Sequence, residues 1–266
     1  MANISGRFIW YELMTTDVAA AKTFYAKVVG WGMEDVPAPG MEYALCIAGR
    51  ASVAGIMNLP ADAKAAGMKP RWTGFVAVDD VDAAARRIKT LGGAVLVGPA
   101  EIPDISRFAV FDDEQMAMLG VIKWLRPRPD EPAALRMLRR VGWHELLTND
   151  RERALAFYAK LFGWQKAATE GEYYLFSAAE ETIGGIDTKG GEVPAPFWLY
   201  YFNVGDIAAA AQRVKAAGGK VLDGPMLWAD GRTTLACADP QGAMFALVAK
   251  PRGMDVGYFP RGPRAT

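Results

Sequence analysis

Apolar side chains recur along the chain with two periods, which predict alternating strands and helices. The short run Phe8–Leu13 is apolar and rich in aromatic residues, which favours a strand. Behind it, apolar residues return at i, i+3, i+4 and i+7, the spacing of one helical face. These residues are Ala21, Phe24, Tyr25 and Val28. The chain therefore opens with a strand followed by an amphipathic helix.

Polar residues and glycines mark where the predicted helices begin and end. Asp17 stands where an N-cap oxygen would accept from the free amides of the first turn. Gly30 suits the C-terminal stop, where a positive φ is favoured. A second helix is predicted to begin near Asp80 and to end at Gly92-Gly93.

Short apolar runs around the second helix predict the other strands of this half of the chain. They are Glu42–Ala48, Ser52–Asn58, Thr73–Val78, Ala94–Val97, Phe108–Phe111 and Met118–Trp124. With the first strand and the two helices they form two blocks, each roughly β-α-β-β-β.

The second half of the chain repeats the first. Tyr11–Asp17 resembles His144–Asp150, and Phe24-Tyr25-Ala26-Lys27 returns as Phe157-Tyr158-Ala159-Lys160. Further matches keep the same order, and the offset changes only where loops differ in length. The sequence therefore predicts a first module over residues 1–125, a linker over 126–140, a second module over 141–250 and a tail over 251–266.

These residues resemble the vicinal oxygen chelate superfamily, which contains glyoxalase I, bleomycin-resistance proteins and extradiol dioxygenases. The resemblance is carried by three segments, Glu12–Trp31, Val78–Ala84 and Asp239-Pro240-Gln241-Gly242. It implies an α+β fold with a tandem pair of modules, each made of two β-α-β-β-β units. The strongly curved mixed sheets of such modules enclose a concave pocket.

Composition and charge exclude several classes of protein. A chain that is 52% hydrophobic and 23% charged is not disordered, and no apolar run is long enough to span a membrane. Thirty basic residues balance thirty acidic ones, so nothing favours nucleic acid as a partner. Without a secretion signal, Cys46 and Cys237 are predicted to be reduced thiols in the cytoplasm. One chain can satisfy the family's pairing of modules by itself, which is compatible with a monomer.

The chain contains a single histidine, and this limits metal chemistry. The resemblance implies ligand positions at Tyr11 and His144 in the first strands and at Gly120 and Ala246 in the last strands. Only His144 among these four residues is a usual metal ligand, whereas Zn²⁺ takes about three or four protein ligands and non-haem iron takes two His and a carboxylate. We therefore predict no metal and no other cofactor.

His144 and Tyr11 are the predicted catalytic residues, as a neutral imidazole and a phenol that hydrogen-bond a bound ligand. The alternative is that each is a core residue whose polar atoms are satisfied by neighbours. Five further residues are predicted to line a ligand pocket, with core packing or an exposed surface as the alternative: Trp72, Thr73, Arg107, Trp198 and Tyr200. Glu12 and Glu145, which repeat between the modules, are predicted to cap a helix or form ion pairs.

Two main functions compete. The first is a metal-independent protein that binds a small apolar or aromatic molecule in a curved pocket. The second is a glyoxalase-like lyase or isomerase that acts on reactive carbonyl compounds such as methylglyoxal. A structural or partner-binding role is the third hypothesis.

Overall fold

The structure is a computed structural model of the chain. It describes residues 4–38, 40–126, 137–170, 172–191, 193–228 and 231–250. The predicted tail over 251–266 and most of the predicted linker over 126–140 lie outside the described residues.

Strands and helices alternate as the periodicity predicts. The strands are β1 (Phe8–Thr15), β2 (Gly32–Asp35), β3 (Tyr43–Ala48), β4 (Ala51–Asn58), β5 (Arg71–Ala77), β6 (Ala94–Ile102), β7 (Ser106–Asp112), β8 (Met118–Trp124), β9 (Val141–Thr148), β10 (Gln165–Glu170), β11 (Tyr173–Ala178), β12 (Glu181–Thr188), β13 (Phe197–Asn203), β14 (Lys220–Leu227), β15 (Thr233–Ala238) and β16 (Met244–Ala249). The helices are α1 (Val18–Val28), α2 (Ala61–Ala65), α3 (Val81–Thr90), α4 (Arg151–Phe162) and α5 (Ile207–Ala216).

The strands form two mixed sheets of eight, one from each sequence module. Their orders are β2-β3-β4-β1-β5-β8-β7-β6 and β10-β11-β12-β9-β13-β16-β15-β14. In each β-α-β-β-β block the first strand pairs in parallel with the last, as β1 does with β4 and β9 with β12, and the other neighbours are antiparallel. The predicted α+β fold with two repeated modules is confirmed.

The ends of the first helix of each module follow the capping chemistry expected from the sequence. The Asp17 carboxylate accepts from the backbone N–H of Ala20 at 2.8 Å, and Asp150 caps α4 in the same way. Gly30 and Gly163 take positive φ values of +84° and +74°, a conformation that costs glycine little. These four residues fix the chain direction into and out of each helix.

Three details differ from the sequence prediction. Strand β2 and helix α2 were not predicted, because β2 is a mostly exposed edge strand without alternation and α2 buries no side chain. Strand β6 continues past the predicted end at Val97 as far as Ile102. The β6–β7 pairing shifts register between Val97 and Ala100. The Gly98-Pro99 pair is therefore an irregularity within the strand and does not end it.

The compact units of the molecule do not coincide with the sequence modules. One unit contains Phe8–Trp10, Thr73 to the end of β8, and His144–Trp198, and we call it the His144 unit. The other contains Tyr11–Trp72, residues 137–143 and Leu199 to the end of β16, and we call it the Tyr11 unit. Each unit therefore combines one β-α-β-β-β block from each module. No helix among the described residues is long and apolar enough to cross a membrane.

Candidate functional site

A buried chain of hydrogen bonds lies at the centre of the His144 unit. The indole N–H of Trp198 donates to the Tyr158 hydroxyl at 3.2 Å, and that hydroxyl donates to Oδ2 of Asp113 at 2.9 Å. The other carboxylate oxygen of Asp113 accepts from two backbone amides of its own turn. Burial raises the pKa of Asp113 above its ordinary value despite these donors.

The Tyr11 unit repeats this chain of hydrogen bonds with equivalent residues. Trp72 donates to the Tyr25 hydroxyl at 2.8 Å, and Tyr25 donates to Oδ2 of Asp239 at 3.1 Å. Burial again raises the pKa of the Asp239 carboxyl. Trp72 and Trp198, both predicted to touch a ligand, are thus 5% and 4% exposed, and their only polar atoms are engaged inside the protein.

His144 lies in the packed interior of its unit. Its side chain is 1% exposed, and its ring stacks on Phe8 with centroids 3.9 Å apart and planes at 9°. Nδ1 lies 2.6 Å from the carbonyl oxygen of Ile183, so this nitrogen carries the proton and donates it. Burial lowers the pKa of His144 to about 3, which keeps the imidazole neutral. The predicted role of His144 as a hydrogen-bond partner of a bound ligand stays a prediction, and it requires a ligand to reach this ring.

Tyr11 and Tyr200 lie together in the Tyr11 unit. Their rings meet edge to face at 5.4 Å, and both are buried, Tyr11 with 8% and Tyr200 with none of its surface exposed. Burial raises the pKa of the Tyr11 phenol well above its ordinary value, so the phenol stays protonated. It could therefore donate a hydrogen bond to a ligand, but it would keep its proton.

The two remaining predicted pocket residues lie in the His144 unit. Thr73 is 1% exposed, and its hydroxyl is 3.9 Å from the sulfur of Met118. Arg107 makes a two-point ion pair with Asp82 of α3, at 2.7 and 2.8 Å. The guanidinium is therefore held against a helix of its own unit. The structure brings together Tyr11 with Tyr200, whereas the roles assigned to the whole set stay predictions.

The family's metal-ligand positions hold no carboxylate, and their surroundings are filled by aromatic rings. Gly120 is the register partner of Phe75, and a Cβ atom built on Gly120 would overlap the Phe75 ring. Ala246, its counterpart, is fully buried beside its register partner Tyr201. Within the described ranges no group of three His, Cys, Asp or Glu residues could hold a metal ion. The donor atoms present do not fit the metal site of the family.

One sheet face in the Tyr11 unit combines apolar side chains with partial exposure. Along β1, Tyr11 and Leu13 are buried, whereas Glu12 and Met14 between and after them are half-exposed. Alternation places these two on the opposite face of the strand. Register pairing adds the half-exposed side chains of the neighbouring strands, and we call the five together the open face: Glu12, Met14, Tyr43, Leu45 and Met57.

Glu12 is the charged residue among these five, and the exposed Glu34 of β2 is the register partner of Leu45. The Tyr43 hydroxyl donates to Oε2 of Glu12 at 3.3 Å. Gly55, the register partner of Glu12, makes this contact possible, because a Cβ there would overlap both the hydroxyl and the carboxylate. Asp17 caps the neighbouring helix α1, and the predicted capping or ion-pair role of Glu12 stays a prediction.

The same three residue types recur in the His144 unit in a closed form. Glu145 is the register partner of Gly185, and the Tyr173 hydroxyl lies against that glycine. Here Glu145 is 3% and Tyr173 2% exposed, and Leu175 beside them is fully buried. Only the copy in the Tyr11 unit has this face half-exposed. The repeat of Glu, Tyr and Gly was visible in the sequence, but their proximity depends on the parallel pairing of the first and last strands.

Comparison with known proteins agrees with this architecture. The sequence profile of the Glyoxalase/Bleomycin resistance protein/Dioxygenase superfamily matches residues 7–120 and 140–247. The protein "Putative glyoxylase CFP32" of Mycobacterium tuberculosis is 34% identical over 250 residues, which cover 90% of this chain and 93% of that protein.

One further relative and one solved structure of similar fold extend the comparison. "Anthracycline biosynthesis protein DauV" of Streptomyces sp. (strain C5) is 28% identical over 256 residues, 90% of this chain and 91% of that protein. The crystal structure of the Mn(II)-bound glyoxalase from Novosphingobium aromaticivorans has a TM-score of 0.65 at 16% identity, covering 97% of this chain and 84% of that one. At that identity the likeness concerns the fold alone.

Proposed function

Because the chain belongs to the glyoxalase/bleomycin resistance protein/dioxygenase superfamily, we propose that it is a metal-independent protein that binds a small apolar or aromatic molecule. The observation that carries the proposal is which residues occupy the metal-ligand positions of the family. Gly120 and Ala246 supply no donor atom, and the Phe75 ring fills the space over Gly120. A transition metal needs several N, O or S ligands in one place, and such a set is missing from these positions. The buried thiols of Cys46 and Cys237 support a location in the reducing cytoplasm.

The open face is the part of the Tyr11 unit that best suits such a ligand. Met14, Leu45 and Met57 offer flexible, polarisable surface, and the Tyr43 ring offers an aromatic edge. Ligand sites usually combine a mainly apolar lining with few polar groups, and Glu12 is that polar group here. The relative named for anthracycline biosynthesis supports a planar aromatic ligand, since anthracyclines are fused-ring aromatic compounds.

Quenching of tryptophan fluorescence by 2-methoxyanthraquinone tests the proposal. We expect saturable binding to the wild-type protein, and we expect Met57→Asp to weaken it about tenfold or more, because the new carboxylate must be desolvated against an apolar ring. Leu96→Asp is the matched control, since Leu96 is 46% exposed on β6 in the other unit. Equal weakening by both variants, or no binding to the wild type, would contradict the proposal.

A glyoxalase-like lyase or isomerase is the second candidate, and the 34% identity to the protein named a glyoxylase favours it. Without a metal to polarise the carbonyl, such chemistry would depend on hydrogen-bond donors such as Tyr11 and His144. Turnover of the hemithioacetal of methylglyoxal and glutathione tests it directly. Activity that disappears in Tyr11→Phe or His144→Leu would support the enzyme, and no turnover by the wild type would remove it.

A further inference from the structure

Strand β6 of the His144 unit is an edge strand with an apolar sequence. It is the last strand in the order of its sheet, so one side of its backbone pairs with β7 and the other side pairs with no strand that the structure describes. The nine residues of β6, AVLVGPAEI, include one charged residue, Glu101, near the end of the strand. An exposed apolar edge strand is a template to which another strand can add.

The counterpart of β6 in the second module, β14, has the charges that β6 lacks. Both strands contain a Gly-Pro pair and shift register beside it, so this irregularity does not distinguish them. However, β14 exposes Lys220 and Asp223 where β6 exposes Ala94 and Val97. Charged side chains are also exposed on the two other edge strands, Glu34 and Asp35 on β2 and Lys166 on β10. Charges on an edge strand oppose pairing with another chain, and β6 is without them over Ala94–Ala100.

Exposed aliphatic side chains continue from β6 onto the turn that follows it. The backbone N–H of Leu125, just after β8, donates to the carbonyl oxygen of Ile105 in this turn at 2.9 Å, which joins the two residues to the end of β6. We call five residues, each between 42% and 53% exposed, the β6 edge: Leu96, Val97, Ile102, Ile105 and Leu125. In β14, by comparison, the large exposed apolar residues are Leu222 and Leu227.

The apolar surface of the β6 edge matches what one side of a protein interface contains. The exposed parts of its five side chains amount to about 400 Å², which is as much as the largest apolar patch on a typical monomer. A standard interface takes about 800 Å² from each partner, and somewhat more than half of that area is apolar. The β6 edge therefore supplies about the apolar area that a dimer of standard size needs from each copy.

From these observations we infer that β6 pairs side by side and antiparallel with β6 of a second copy, so that the chain forms a weak homodimer. A two-fold axis brings the apolar side chains of Ala94–Val97 onto the same residues of the other copy, and pairing of one edge with itself ends at two copies. Pro99 has no N–H to donate, which confines the new ladder to the residues before it. Thirty basic and thirty acidic residues leave no net charge to keep two copies apart. This inference does not depend on ligand binding.

Sedimentation velocity of the full chain over a range of concentrations tests the inference. The β6 edge has no aromatic or arginine anchor, so we expect a Kd of about 10–100 µM and a sedimentation coefficient that rises with concentration. Val97→Asp places the residue of β14 in β6, and its carboxylate would have to be desolvated against the partner copy, so the Kd should increase about tenfold or more. Leu227→Asp is the matched control, because it puts the same charge on β14, where Leu227 is 67% exposed, and it should leave the Kd unchanged.

Two further measurements keep the test decisive if Val97→Asp does not fold. Ile105→Lys changes an exposed residue of a turn and should weaken association about threefold or more. In the wild type, amide hydrogen exchange of Ala94–Val97 should slow as the concentration rises, whereas that of Lys220–Asp223 should not. A wild-type protein that stays monomeric up to about 200 µM would overturn the inference. Equal weakening by the β6-edge variants and Leu227→Asp, or exchange in β6 that does not respond to concentration, would also overturn it. Each of these results would leave the proposed function standing.

Discussion

The single histidine should make the free energy of unfolding fall as the pH is lowered, and His144→Leu should abolish this contribution. The pKa of His144 is about 3 in the folded state because burial disfavours the charged imidazole, against an ordinary value of 6.5. The unfolded chain therefore takes up a proton as the pH falls below about 6.5, whereas the folded chain does not. The stability contributed by the neutral ring is fully present above pH 6.5 and is lost progressively as the pH falls towards 3.

The size of this effect follows from the two pKa values. Between pH 8 and pH 5, preferential protonation of the unfolded chain costs about 2 kcal/mol of unfolding free energy. This figure changes little if the folded pKa is one unit higher, because at pH 5 the folded imidazole would still be almost entirely neutral. The single histidine makes the effect separable from the carboxylates, which the variant leaves unchanged.

Urea unfolding followed by tryptophan fluorescence measures it, with wild type and His144→Leu compared at pH 8 and pH 5. Leucine removes the stacking partner of Phe8 and the donor to Ile183, so the variant can be less stable at both pH values. The informative quantity is the change between the two pH values, which should be about 2 kcal/mol smaller in the variant. Identical pH dependence in the two proteins would refute the buried, neutral placement of His144.

Three further outcomes follow from the interior of the two units. Tyr25→Phe leaves the Trp72 indole and one Asp239 oxygen without their shared partner, so it should lower the free energy of unfolding in urea by about 2–4 kcal/mol. Tyr174→Phe, at the surface, should lower it by about 0.5 kcal/mol or less. Similar losses in the two variants would contradict the buried hydrogen-bond chain. Gly55→Ala should destabilise the fold by about 1–3 kcal/mol, because its Cβ overlaps two side chains; a neutral result would contradict the close contact. Burial raises the thiol pKa of both cysteines, that of Cys237 to about 12, so neither should react with a disulfide reagent until urea is added; rapid labelling of folded protein would contradict this.

The sequence was sufficient for the fold because periodicity and capping are local. Asp17 and Gly30 mark the two ends of the first helix. The ordered sequence repeat identifies two modules without any knowledge of contacts. Strand β2 escaped prediction because an exposed edge strand need not alternate. The compact units could not be predicted from the sequence, since they depend on which block of one module packs with which block of the other.

The site was harder to predict because strand faces depend on what covers them. His144 was assigned to a ligand-facing surface through the family resemblance, yet its ring stacks on Phe8 in the interior. Trp72 and Trp198 look like pocket aromatics in the sequence, but each donates to a buried tyrosine. The open face became visible only when register pairing brought Glu12, a residue of one strand, beside Tyr43 of another.

The central claim is that ligand binding needs no metal, and one titration tests it most directly. The protein is stripped with a chelator, and its affinity for 2-methoxyanthraquinone is measured before and after addition of Mn²⁺, Zn²⁺ or Ni²⁺. The family positions hold Gly120 and Ala246 in place of carboxylates. We therefore predict that the affinity of the stripped protein equals that of the untreated protein, and that adding any of the three metals changes it by no more than about twofold. Loss of binding on chelation, with recovery when one of these metals is returned, would contradict the account.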